Sequence, residues 1–335
     1  MLSKAPRGTK DITPKDVYKW HYVEKKFREI CALYGYEEIR TPIFEHTEVF
    51  ARSVGDTTDV VQKEMYSFTD RGDRQLSLKP EGTAGVIRSF IENKMYADTQ
   101  PTKLYYITPC FRYERPQAGR QRQFHQFGIE VLGSDGPSVD AEVISLAVQF
   151  FNEMGLKNLS VNINSVGCPT CREEYNRKLK EYLDKKVDVL CETCLERKDK
   201  NPMRVIDCKN PHCKENLQDI PFMIDHLCED CKDHFDKLQT YLKEMDINYV
   251  VDKTIVRGLD YYKKTAFEII SNDIGSQSTV CGGGRYDGLV EMLGGPKGIS
   301  GIGFALGAER LLLTLENNNI EIENPKSTDI YSNYR

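Results

Sequence analysis

Apolar positions recur at helical spacing in Val17, Trp20, Val23, Phe27, Ile30 and Tyr34, which predicts an amphipathic helix there. Thr13, Pro14 and Asp16 supply a capping side chain, a first-turn proline and an acid at the positive end, and Gly35 can stop the helix. Residues 36–42 read as a strand ending at Pro42, and 65–70 with 75–78 as a hairpin around Arg71-Gly72-Asp73. Pro80-Glu81-Gly82-Thr83 then opens a helix through Val86, Ile87, Phe90 and Ile91. Residues 104–113 and 124–133 read as strands flanking a polar loop, 138–154 as an amphipathic helix and 159–164 as a strand. Helical patches follow at 175–183 and 235–245. Then come strands near 265–270, 278–282 and 299–305, and helices at 286–293 and 307–317.

Strands joined by hairpin-like loops, with helices between groups of them, predict an α+β domain around a mainly antiparallel sheet. A dinucleotide-binding α/β fold fits poorly. Gly301-Ile302-Gly303-Phe304-Ala305-Leu306-Gly307 lacks the G-x-G-x-x-G spacing, and no G-x-x-x-x-G-K-[ST] loop is present. No apolar run approaches the roughly 18 residues of a membrane span, and the first residues lack a signal-peptide core. The chain's 335 residues suggest about two domains on the usual prior. Its net charge of −5 excludes a uniformly basic coat but not a local basic patch for nucleic acid.

Cysteine changes the picture. Of 11 cysteines, Cys168, Cys171, Cys191, Cys194, Cys208, Cys213, Cys228 and Cys231 crowd into one stretch as four close pairs. Without an export signal the expected compartment is reducing and cytoplasmic, where such spacing favours metal over disulfides. Two tetrahedral zinc sites would use all eight thiolates, although spacing leaves open which pair joins which. Buried free cysteines are the plain alternative.

Three separated segments offer arginine beside apolar strands: Arg112, Arg257 and Arg310. A buried guanidinium needs an anionic partner, either an internal carboxylate or a ligand. Arg310 beside Glu309 could equally be a solvated pair. Arg257, Asp260, Tyr261 and Tyr262 crowd within six residues, which fits either a surface turn closed by an Arg257–Asp260 pair or a site for an anionic ligand. Glu81 and Thr83 sit at a strand-to-helix junction, where they cap the helix or hold a ligand.

Four peptides carry a resemblance across residues 6–325. FRYERPQAGRQRQFHQFGIE (Phe111–Glu130) and GFALGAER (Gly303–Arg310) resemble motifs 2 and 3 of class II aminoacyl-tRNA synthetases. VRGLDYYKKTAFE (Val256–Glu268) and GGGRYDGLVEMLGG (Gly282–Gly295) resemble peptides peculiar to the histidyl-tRNA synthetases. Arg7-Gly8-Thr9-Lys10-Asp11, the motif-1-like segment ending at Pro42 and Lys79-Pro80-Glu81-Gly82-Thr83 match as well.

The resemblance implies an antiparallel catalytic sheet flanked by helices. A mainly helical, cysteine-rich insertion would occupy 166–248, between catalytic parts 1–165 and 249–325. It further implies that histidine's carboxylate attacks the α-phosphorus of ATP and that the histidyl group passes to tRNA(His). Arg112 would hold the α-phosphate and the carboxylate, Arg310 the γ-phosphate and Arg257 the transition state, with Mg2+ bridging phosphate oxygens. Phe124 would stack on adenine near Glu114 and Arg120. Glu81 and Thr83 would take the α-ammonium and Gln126 the carboxylate end. Glu130 and Tyr262 would read the two imidazole nitrogens, and Tyr261 and Tyr286 would line the pocket. The motif 2 loop, with Arg115, Arg120 and Arg122, would meet the tRNA acceptor end. The class pattern implies a homodimer through the segment around Pro42.

The family continues into a C-terminal anticodon-binding domain, so 326–335 is expected to be the start of a linker. A paralogue that lacks that domain, the regulatory subunit of ATP phosphoribosyltransferase, is the runner-up. Such paralogues generally lose parts of the catalytic set, whereas Arg112, Arg257, Arg310, Glu81, Gln126, Glu130 and Tyr262 are all present here. A zinc-stapled nucleic-acid binder would explain the cysteines but not the arginines.

Overall fold

A computed structural model describes residues 4–55, 58, 60–208, 210–256, 261–271 and 279–325. The helices are α1 (Val17–Leu33), α2 (Thr47–Val54), α3 (Thr83–Glu92), α4 (Pro137–Glu153), α5 (Pro169–Asp184), α6 (Glu192–Lys200), α7 (Pro211–Asn216), α8 (Glu229–Glu244), α9 (Leu289–Met292) and α10 (Ala308–Asn317). The strands are β1 (Glu37–Glu38), β2 (Phe44–His46), β3 (Ser67–Thr69), β4 (Gln75–Leu78), β5 (Thr102–Phe111), β6 (Gln123–Leu132), β7 (Leu159–Ser165), β8 (Val250–Val251), β9 (Lys263–Ser271), β10 (Thr279–Arg285) and β11 (Gly301–Gly307).

Eight strands form one sheet in the order β1-β5-β6-β11-β10-β9-β7-β8. From β5 to β7 every neighbour is antiparallel, and only the two-residue edge strands β1 and β8 run parallel to theirs. The small sheet β2-β4-β3 holds the expected hairpin of β3 and β4.

Alternation along the strands divides the two faces of the large sheet. Phe127, Ile129 and Val131 of β6 and Ile302, Phe304 and Leu306 of β11 point to one side. There they meet Phe27 and Ile30 of α1, Ile144 and Phe151 of α4, Leu238 of α8 and Leu311 of α10 in the main core. The opposite face lies under α3, α9 and the cysteine-rich region, and Tyr261, Tyr262 and Tyr286 share a second core with that region. Helix α8 belongs to both. Cys231 in its first turn joins the cysteine-rich core, while Phe235, Leu238 and Leu242 enter the main one.

Three local expectations change. Thr13 does not cap α1 through its hydroxyl. Residues 14–16 form a turn, and the Thr13 carbonyl accepts from the Asp16 and Val17 amides at 2.9 Å each. The strand expected over 36–42 shortens to Glu37–Glu38: the Ile39 amide still donates to the Tyr105 carbonyl at 2.8 Å, and beyond it the chain leaves β5. The helix expected over 286–293 is confined to Leu289–Met292. The Tyr286 amide bonds the Gly301 carbonyl at 2.8 Å, and Gly288 sits at φ 102°, which a helix cannot continue through.

Candidate active site

A cavity of about 220 Å³ opens on the face opposite the main core. Its floor follows from the pattern of β11. Gly301, Gly303, Ala305 and Gly307 alternate with Ile302, Phe304 and Leu306, so the large side chains enter the core and the cavity side is nearly bare. Gly303 stands opposite Glu130 of β6, and a Cβ there would collide with the Glu130 carboxylate. A Cβ at Gly301 would strike the Tyr286 ring.

On β6 the same alternation sends Gln126 and Glu130 toward the cavity, and both line it. Glu130 is buried, with Tyr286 Oη donating to one carboxylate oxygen and Tyr106 Oη to the other at 3.4 Å. Burial pushes its pKa up to about 8, although bonds from Tyr286, Thr83 and Tyr106 pull the other way. An empty pocket at neutral pH therefore holds Glu130 largely protonated. Sequence reasoning passed over Tyr106. Its signal was the pair Gly82 and Gly128, where any Cβ would strike the Tyr106 ring that passes between them. Tyr261 and Tyr262 complete the wall, with Tyr261 4.6 Å from Tyr262 and 5.7 Å from Tyr286 between ring centroids.

Both readings of Glu81 hold together. Its carboxylate accepts from the Thr83 amide at 2.7 Å and the Ala84 amide at 2.9 Å, capping α3, and both Glu81 and Thr83 line the cavity. Burial raises the Glu81 pKa despite those bonds. Gln126 Oε1 accepts from the Gly82 amide at 2.9 Å, tying the helix start to β6.

Arg112 and Arg310 line the polar side of the cavity. Arg112 leaves the end of β5 and its Nε donates to the Pro80 carbonyl at 2.8 Å. Arg310, in the first turn of α10, donates to the Thr279 carbonyl at 2.6 Å. It is not paired with Glu309, which takes the His125 amide and ring Nδ1 on the other face of the sheet. Burial, with Arg120 and Arg112 nearby, lowers the Arg310 pKa. Cations gathered this closely repel one another until an anion joins them.

Glu114, Arg120 and Phe124 stand beside Arg112 rather than on the cavity wall. Arg112 lies 3.9 Å from Glu114, Arg120 2.8 Å from Glu114, and the Phe124 ring centroid is 5.5 Å from the Arg112 guanidinium. Arg122 stacks on Tyr113 at 3.8 Å, while Arg115 is exposed. Arg257 and Asp260 lie outside the described residues.

The cysteines resolve into nested sets. The outer pairs join as Cys168, Cys171, Cys228 and Cys231, and the inner pairs as Cys191, Cys194, Cys208 and Cys213. Within each set all four sulfurs lie within 4.8 Å of one another. Sulfur separations of 3.6 Å (Cys168–Cys171) and 3.8 Å (Cys168–Cys228, Cys191–Cys208) suit thiolates about 2.3 Å from a shared tetrahedral ion. Backbone amides also point at the sulfurs, Cys228 to Cys171 at 3.1 Å and Cys191 to Cys213 at 3.2 Å. Burial opposes ionisation of Cys168, yet donors from Cys171, Cys231 and Cys228 bring it down to about 6, while burial and its neighbours push Cys231 up. Crowded thiols lose one proton readily and resist losing the rest unless a cation joins them.

The antiparallel sheet, with arginines from β5 and α10 meeting over its bare strand, is the catalytic fold of a class II aminoacyl-tRNA synthetase. Residues 8–311 match the family model described as histidyl-tRNA synthetase. The histidine–tRNA ligase of Clostridioides difficile (strain 630) is 82% identical over 331 residues, covering 99% of this chain and 79% of the relative. The crystal structure of apo S. aureus histidyl-tRNA synthetase superposes with a TM-score of 0.78 at 44% identity, covering 96% of this chain and 75% of that one. A Bacillus halodurans structure described as an ATP phosphoribosyltransferase regulatory subunit/histidyl-tRNA synthetase reaches 0.64 at 22% identity, covering 95% and 83%, and shares the fold. The chain belongs to the histidyl-tRNA synthetase family.

Proposed function

We infer that the chain is a histidine–tRNA ligase, which activates L-histidine with ATP and passes the histidyl group to tRNA(His). The observation that carries this is the buried Glu130 lining the same cavity as Arg112 and Arg310. The regulatory-subunit reading is set aside, since the relative at 82% identity is a ligase and the likeness at 22% concerns fold alone.

The nucleophile, histidine's carboxylate, is already ionised, so adenylate formation needs positioning and charge stabilisation rather than a protein base. ATP enters as its magnesium complex. Arg112 holds the α-phosphate and the amino-acid carboxylate, Arg310 holds the γ-phosphate, and Arg257 completes the set at the α-phosphate. Phe124 stacks on adenine, with Glu114 and Arg120 beside the nucleotide. Glu81 and Thr83 take the α-ammonium and Gln126 the carboxylate end. Glu130 accepts the imidazole N–H and Tyr262 donates to the other ring nitrogen, while Tyr261 and Tyr286 close the pocket. Paired polar contacts of this kind discriminate strongly, because an analogue lacking them leaves buried groups unpaired. Histidine-dependent ATP–pyrophosphate exchange tests this reading, and its absence in folded protein overturns it.

Each thiolate set is assigned one structural zinc ion, in an insertion spanning 166–248 between catalytic parts 1–165 and 249–325. All four positions of each set are thiolate, which leaves no open coordination position for catalysis. Elemental analysis of protein purified without chelator should find two zinc ions per chain; none would overturn the assignment. Among the described residues no helix is long and apolar enough to cross a membrane. Free thiols suit a cytoplasmic compartment. Arg115, exposed in the motif 2 loop, is available to the tRNA acceptor end. Ile43, Phe44 and Phe68 stand exposed on or beside the small sheet, next to the motif-1-like segment, which suits a homodimer. Sedimentation should find a species of twice the chain mass.

A further inference from the structure

The outer cysteine set sits at the base of the insertion, where the chain leaves β7 for α5. Gly167 at that corner has φ 65°, and a Cβ on it would come within 2.9 Å of Met223 Sδ and 3.0 Å of Cys171 Cβ. The backbone therefore closes tightly onto the cluster. Arg172 follows Cys171 directly in the first turn of α5.

Its guanidinium turns back toward the sheet. Nε donates to the Val166 carbonyl at 2.9 Å and Nη2 donates to the Tyr262 carbonyl. One planar fork thus bridges the end of β7 and the segment that brings the pocket tyrosines to β9. The two segments are also laced by the Val166 amide to the Lys264 carbonyl at 2.8 Å and the Lys264 amide to the Gly167 carbonyl at 2.9 Å.

The clamped segment is one that needs holding. The β9–β10 register shifts between Gly284, opposite Ala266, and Arg285, opposite Lys263, so Lys264 and Thr265 form an irregularity. Lys264 has φ 52°, in the left-handed region that costs a residue with a side chain about 1 kcal/mol or more. A bulge redirects the chain that leads into it, and here that chain runs back through Lys263 to Tyr262 and Tyr261.

We propose that Arg172 is a positioning residue for the amino acid, transmitting the rigidity of the Cys168–Cys171–Cys228–Cys231 cluster to the backbone of Tyr262. It touches neither substrate nor reacting atoms. Arg112, just past β5, and Arg310 of α10 hold the phosphates outside the clamp, and Arg257 acts on the transition state, so the insertion governs amino-acid affinity and leaves KM for ATP alone. This rests on the reading of the pocket as the histidine site.

The test compares wild type, Arg172→Ala, Arg172→Lys, Cys228→Ser and the double variant Arg172→Ala/Cys228→Ser. Histidine affinity is measured by calorimetry without ATP, alongside KM for each substrate in pyrophosphate exchange and zinc per chain. Arg172→Ala should weaken histidine binding about tenfold, the usual scale for one charge-assisted bond. KM for ATP should stay within about twofold and zinc content should not change. Arg172→Lys, which cannot fork across two carbonyls, should fall between the two, and it carries the test if the alanine variant does not fold. Cys228→Ser should lose the outer zinc and weaken histidine to a similar degree, with no further loss in the double variant. Wild-type histidine affinity in Arg172→Ala, or equal losses toward histidine and ATP, would overturn the proposal. Wild type without histidine-dependent exchange would instead overturn the parent reading.

Discussion

Replacing Glu130 by glutamine should make the protein more stable and a worse enzyme, with the two effects separable by pH. Burial holds the Glu130 carboxyl near 8, against 4.5 for an ordinary glutamate. A carboxyl raised in the folded state contributes stability that is full below pH 4.5 and is lost as pH climbs through 8. At about 1.36 kcal/mol per pH unit, the whole loss is on the order of 5 kcal/mol, and about 3 kcal/mol of it is already gone at pH 7. Glutamine does not titrate and still accepts from Tyr286, so Glu130→Gln escapes that loss. Urea unfolding of both proteins from pH 5 to 8.5 measures it, because the difference between the curves cancels every other titrating group. The variant's advantage should grow steadily with pH. In exchange assays the variant offers imidazole only a neutral acceptor. Above about pH 8, where Glu130 is ionised, losing that charged partner costs about 1.5–3 kcal/mol, or roughly 10- to 100-fold in kcat/KM for histidine, and the gap should narrow at lower pH. A stability difference that does not move with pH would refute the argument from burial, and wild-type kcat/KM would refute the role of Glu130 in reading histidine.

Three further outcomes follow from the same geometry. Gly303→Ala should raise KM for histidine at least about tenfold, with a larger effect than on KM for ATP, and should also lower stability, because its methyl group collides with both the Glu130 carboxylate and the Ile129 carbonyl of β6. Arg112→Ala should slow pyrophosphate exchange by about 100-fold or more through kcat, the scale of removing one preorganised charge donor; an effect confined to KM would assign it plain binding. Arg285→Met should destabilise by about 3–5 kcal/mol in denaturant titrations, since it strips the buried Asp140 of a principal cation. Among the described residues Asp140 would keep hydrogen bonds to His234 and Thr265, and a change below about 1 kcal/mol would mean that this network adds little.

That network shows what one-dimensional reading misses. Asp140 of α4, His234 of α8, Thr265 of β9 and Arg285 of β10 meet in one buried cluster, with His234 at 2.8 Å from Asp140. In the sequence Asp140 reads as an acid in the first turn of a helix and Arg285 as part of a glycine-rich peptide. Nothing local distinguishes them, because their partners lie as far as 145 residues away. Tyr106 was hidden for a related reason: a tyrosine in a strand reads as core, and only the opposed glycines mark it as a prop for Glu130.

Much was nonetheless settled by the order of residues alone. Period-two alternation in β6 and β11 determines which side chains share a face, so Gln126, Glu130 and the bare positions Gly303 and Ala305 had to stand together once those strands formed. Arginines beside apolar strands called for anionic partners, an internal carboxylate or a ligand, since an unpaired buried guanidinium is too costly to keep. Cysteine spacing marked eight thiols in four close pairs without saying how they join. The tertiary structure alone decided how the pairs nest, because loop closure between close pairs is permissive and the packing of α5 on the helical turns at 202–205 and 223–226 is not. It also decided that Glu130 is buried deeply enough to hold its proton, that Glu309 turns away from Arg310 toward His125, and that Arg172 reaches from a thiolate cluster to the Tyr262 backbone. Such facts depend on distances between segments remote in the chain, which periodicity and composition do not encode.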